Sequence, residues 1–111
     1  MSSTSYKVPD HIKNYVKVEL YNFTKTKKLL KDMRNNKLGS SQSLLIAEQK
    51  VAQIETVLDR LNDDQREIAE AIFIKHYSQQ KAEVEAYISY DSYYWTKNKV
   101  IYLVAKEMNL I

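Results

Sequence analysis

One glycine and one proline, Gly39 and Pro9, stand in a chain of 111 residues. Tight turns between strands need residues that take positive φ or preset a bend. The chain has little of that turn chemistry, a composition that favours helices joined by short polar steps. Hydrophobic residues at 44% suffice for one core of modest size. Cysteine is absent, which removes disulfides, thiolate nucleophiles and the commonest structural zinc sites, and fits a reducing compartment.

The apolar spacing divides the chain. Val8-Pro9-Asp10 reads as a helix start, with Asp10 available to cap. Ile12, Tyr15, Val16, Leu20, Phe23, Leu30 and Met33 then recur at helical spacing and predict one helix to about Asn35. A polar loop, Asn35 to Ser41, holds the glycine. Leu44, Ala47, Val51, Ile54, Leu58 and Leu61 follow in steps of three and four, the seam of a coiled coil. Two uses of that seam fit the spacing: an antiparallel hairpin with the first helix, or a homodimer through Leu44, Val51, Ile54 and Leu58. Asn62 caps a further helix reaching Tyr77, with Gln65 placed to return a bond to the cap. A short helix from Gln80 to Tyr87 and a last one from about Tyr90 to Asn109, capped by Ser89, complete the chain. The last helix is expected to bury Tyr94, Asn98, Ile101, Ala105 and Met108. The fold class is all-α, with a basic helical hairpin over residues 1–61 and a three-helix unit over 62–111.

Charge is distributed unevenly. Residues 1–40 hold nine Lys or Arg against three Asp or Glu, whereas residues 76–111 hold four of each. The surplus is densest at Lys25, Lys27, Lys28, Lys31, Arg34 and Lys37, which serve either as a solvated helix face or as a phosphate-contacting surface, with Lys25, Lys27, Lys28 and Lys31 the candidate contacts. No apolar run approaches the roughly 18 residues of a membrane span, and Met1 to Lys7 lack the apolar core of a secretory signal. His11 and His76 are far apart with no ligand spacing, so no metal is expected. Asp63, Asp64, Glu67 and Glu70 suit the start and outer face of a helix better than acid–base chemistry. No nucleophile–base arrangement or phosphate loop appears, so neither catalysis nor a cofactor is expected.

Two tight polar steps around a very short helix are the layout of a helix-turn-helix, whose last helix enters the major groove of duplex DNA. On the expected phase, Ser92, Tyr93, Trp95, Thr96, Lys97 and Lys99 point away from the core. They offer hydroxyls to base edges, aromatic bulk to thymine methyls and cations to phosphates. Gln80 and Lys81 open the short helix, where a phosphate can be held. Tyr93 and Trp95 serve equally as a protein-binding surface, and Tyr94 and Tyr102 read first as packing.

Leu61-Asn62-Asp63-Asp64-Gln65-Arg66-Glu67-Ile68 resembles the opening of region 4 of sigma factors. Glu83-Val84 resembles its short helix, and Ile88 to Tyr94 its turn into the reading helix. With Tyr94 to Lys99 and Leu103 to Leu110, residues 61–110 are similar to the ArpU and RinA families, phage late-gene transcriptional regulators of Gram-positive bacteria. The resemblance implies transcription regulation in a bacterial cytoplasm and contact with host RNA polymerase. Tyr87 stands where that turn carries Gly, and Asn98 where it carries an apolar residue. Two other tasks suit the same helices: a small terminase-type protein for DNA packaging, or a helical module that binds a transcription factor or polymerase.

Overall fold

The computed structural model describes residues 6–36 and 41–111; Lys37 and the Gly39 loop lie outside the described residues. Among these the chain is all-helical: α1 (Asp10–Tyr21), α2 (Phe23–Asn36), α3 (Ser41–Arg60), α4 (Asp63–Ala69), α5 (Gln79–Glu85) and α6 (Tyr90–Glu107). A π-helical turn, Glu70–Ile74, extends α4. No helix among the described residues is long and apolar enough to cross a membrane.

The single first helix expected from the spacing is two helices that meet at Asn22. The hydrogen-bond ladder survives the junction: Asn22 N donates to Val18 O and Thr26 N to Asn22 O. The chain bends there without stopping, so the apolar spacing runs through it. Asp10 does not cap; Pro9 holds that position without a side-chain bond, and Asp10 sits in the first turn, favourably for the dipole.

α2 and α3 pack side by side, and their ion pairs run in opposite order, Lys27 with Glu55 at 3.3 Å and Arg34 with Glu48 at 3.4 Å. The helices are therefore antiparallel. Val51, Ile54, Leu58 and Leu61 are buried and Leu44 and Ala47 pack against the same core. The seam packs within the chain, where Val51, Ile54 and Leu58 are buried. α1 is tied to α3 by Lys50 Nζ donating to Glu19 at 3.2 Å. Burial works to lower the Lys50 pKa, but the bond and charge of Glu19, joined by Tyr15, together carry the net direction upward.

α6 is the hub, packing on α1, α3, α4 and α5. Val100, Ile101, Val104 and Ala105 in its second half are fully buried and join Val16, Leu20, Val57 and Ile72 in one cluster. That cluster draws on both sides of residue 61. Glycine being so scarce, the helix ends use other residues for left-handed backbone. His76, Tyr87 and Asn109 have φ of 57°, 54° and 60°. At the last two, the following N–H reaches back to the carbonyl five residues earlier, Ile88 to Glu83 and Leu110 to Ala105, as a Schellman end requires.

Candidate nucleic-acid interface

α5, a four-residue connection and α6 form the corner in which the candidate residues lie. Ser78 accepts from Lys81 N at 3.2 Å, and Ser89 accepts from Ser92 N at 3.1 Å. Both caps fix where the helices begin. The Ser89 hydroxyl also donates to Ser92 Oγ at 3.1 Å, leaving the Ser92 proton free to donate outward. Asn62 caps α4 by accepting from Gln65 N at 2.8 Å. The expected return bond from Gln65 is replaced: Gln65 Oε1 accepts from Lys99 Nζ at 3.2 Å and ties α4 to α6.

The phase of α6 differs from expectation in its first half. Tyr93 is 5% exposed and Thr96 1%, so neither can reach a base edge. Tyr94 and Asn98, expected inside, are exposed. Asn98 therefore needs no buried partner. The outward stripe is Asp91, Trp95, Asn98 and Tyr102, with Ser92 and Lys99 on one flank, as helical spacing dictates. Trp95 is 44% exposed, and Lys99 Nζ stands 5.0 Å from its ring. Lys97 is half-buried, 5.9 Å from both the Tyr21 and Tyr93 rings. Its pKa is pushed down, by burial first and by the Lys13 charge second. Gln80 and Lys81 are exposed as expected, although Lys81 lies over the Tyr77 ring at 4.5 Å.

The two flanks of the stripe differ electrostatically. A groove of about 410 Å³ between α4 and α6 is lined by Asp64, Asp91, Ser92 and Trp95, so carboxylates border the Ser92 side. On the other side lie residues not anticipated from sequence. The extended segment before α1 crosses α6, and the Tyr6 ring packs edge-on against Trp95 at 5.7 Å and tilted against Tyr102 at 5.2 Å. Tyr6 and Val8 alternate around Lys7 ahead of Pro9, the pattern of an extended segment with one face down. That alternation is the one signal by which the contact was detectable.

The basic run on α2 lies elsewhere. Lys25, Lys28 and Lys31 are exposed, while Lys27 is paired with Glu55 beside a groove of about 760 Å³ that also contains Arg34 and Glu48. Three exposed aromatics gather at the corner, Tyr87, Tyr90 and Tyr94, with Tyr90 and Tyr94 rings 4.7 Å apart. Among the described residues no three His, Asp or Glu side chains come together as metal donors. No family model matches the chain, and neither a curated protein nor a solved structure is detectably similar to it.

Proposed function

We propose that the protein is a DNA-binding transcription regulator. In this reading α4, the π turn, α5 and α6 act as a helix-turn-helix following a basic helical hairpin. The first half of α6 lies in the major groove. Ser92, Trp95 and Lys99 face bases and adjoining phosphates, and Gln80 and Lys81 touch the strand at the start of α5. The resemblance of residues 61–110 to phage late-gene regulators supports the same task.

One observation carries the reading. α6 buries Val100, Ile101, Val104 and Ala105 in its second half, yet its first half sends only Tyr93 and Thr96 inward and leaves a polar and aromatic stripe exposed. A helix built only for packing has little reason to stand clear of its core at one end. Its first turn is fixed by the Ser89 cap and its position by the Lys99–Gln65 bond. Such pre-ordering is what groove entry requires, because a frayed helix would have to order on binding.

Trp95 is the only tryptophan, so its fluorescence reports this face alone. Duplex DNA should change the Trp95 emission at ~50 mM salt and bind orders of magnitude more weakly at ~200 mM. Lys99→Ala should lower affinity for all sequences and flatten the salt dependence by about one contact. Absence of duplex binding at the lower salt would reject the reading. A host polymerase captured through Trp95 in its place would make the face a protein-binding one.

A further inference from the structure

The flank of α6 opposite the carboxylates is walled by the N-terminal segment. Tyr6 is fixed on Trp95 and Tyr102, and Val8 packs against the core. Lys7 is held between these two anchors. Beneath it opens a cleft of about 300 Å³ lined by Tyr6, Lys7, Val8, Lys13, Asn98 and Ile101. The polar groups around it are two ammonium groups, a phenol and a carboxamide; no carboxylate lines it. Lys97, next in sequence to Asn98, feels the Lys13 charge, so a third cation stands close by.

These cations are uncompensated. Among the described residues none of Lys7, Lys13 and Lys97 takes part in an ion pair, and Asp10 pairs with none of them. The larger groove between α2 and α3 differs in that carboxylates line it: Glu55 and Glu48 pair with two of its four cations, Lys27 and Arg34, beside Lys28 and Lys31. Like charges gathered around a partly enclosed cleft repel one another, and an anion that enters relieves the repulsion. Ammonium groups, an amide N–H₂ and a phenol O–H are all donors, the set that a phosphate's several oxygens accept from.

We propose that the cleft between the N-terminal segment and α6 binds a phosphate group, held by Lys7 and Lys13 with Asn98 as the neutral donor. Where the phosphate belongs to duplex DNA, the proposal rests on the DNA-binding reading above. The N-terminal segment then clamps the strand on the side of α6 that Asp64 and Asp91 do not repel. A free phosphate ion is the other source of the same chemistry.

The test uses the whole chain, isotope-labelled, as the parent and as the Lys7→Gln/Lys13→Gln and Lys7→Arg/Lys13→Arg variants, with equal melting profiles checked first. One arm titrates a short duplex, the other inorganic phosphate against chloride. For a backbone phosphate, the glutamine variant should bind duplex about five- to tenfold more weakly, with its salt slope reduced by about one. The arginine variant should restore both. For free phosphate, saturable shifts at the Lys7, Val8 and Asn98 amides should appear in the parent and vanish in the glutamine variant. A parent that binds no duplex sinks the DNA reading, and the phosphate arm then decides the cleft alone. The proposal is overturned if the glutamine substitutions leave duplex affinity and slope unchanged, or no duplex binds, and phosphate gives no saturable shift.

Discussion

Tyr87 is the residue at which local chemistry is most plainly at odds with its place. Its φ of 54° lies in the left-handed region, where a Cβ crowds the following carbonyl at a cost of about 1–2 kcal/mol. Its side chain is 93% exposed, so no packing offsets that cost. Glycine removes the clash but gains entropy in the unfolded chain, which returns roughly 0.5–1 kcal/mol. Tyr87→Gly should therefore stabilise by up to about 1 kcal/mol, a rise of a few degrees in Tm. Asn109→Gly is the control at the same backbone geometry, since asparagine tolerates this region and leaves little strain to relieve. Calorimetry on the two variants decides it. Equal shifts, or a lower Tm for Tyr87→Gly, would show that the turn is not strained by its tyrosine. The resemblance to a turn with glycine here made this position legible from sequence. Tyr93 and Thr96 were not, and their burial removes two hydroxyls from the exposed face of α6.

At the scale of the element, α6 depends on its first turn. Ser89 satisfies the Ser92 N–H, and α6 carries the exposed stripe just beyond it. Ser89→Ala should cost about 1 kcal/mol and speed amide exchange at Ser92 and Tyr93. A urea midpoint lowered at unchanged slope would register the cost. A variant with the parent's midpoint and exchange rates would show that the cap is idle. Two helix starts were readable because caps are local: Asn62 and Ser89 were found from sequence, whereas Asp10 was placed one residue off and the Ser78 cap was missed. The interior of the elements was harder. The bend at Asn22 keeps its hydrogen-bond ladder and carries no glycine or proline, so nothing in the residues announces it. The π turn is equally silent, for Lys75 N simply donates one residue further back than usual, to Glu70 O at 2.8 Å. The phase of α6 was misread because Tyr93 and Tyr94 are equally apolar. In its second half both candidate seams, Val100 with Val104 and Ile101 with Ala105, are buried, since helices flank α6 on several sides. The cost of placing Asn98 inside was itself the sign of a wrong phase. The phase through Tyr93, Thr96, Val100 and Val104 asks only a short hydroxyl side chain to be buried.

For the molecule as a whole, the question is whether the part proposed to read DNA stands alone. The sequence pattern separates residues 1–61 from 62–111. The packing runs across that boundary. α6 meets α1 and α3 as well as α4 and α5, and Val100, Ile101 and Val104 are buried in a cluster shared with Val16, Leu20 and Val57. Each such side chain returned to water costs about 1.5–3 kcal/mol, against a total stability of about 5–15 kcal/mol for a domain. Exposing three of them removes most of what a short chain can muster. The fragment 62–111 should therefore show weak helical dichroism, a narrow amide spectrum and no cooperative melt. The full chain should unfold in one transition seen alike by Trp95 fluorescence and by far-ultraviolet dichroism. A fragment that melts cooperatively with dispersed amides would show that α1 and α3 merely lean on a self-sufficient unit. Their contribution to DNA binding would then reduce to Lys7 and Lys13. If the fragment fails to fold, the N-terminal half is the scaffold that holds α6 in place. Changes far from α6, such as Glu19→Gln at the Lys50 pair, would then weaken duplex binding through stability rather than contact.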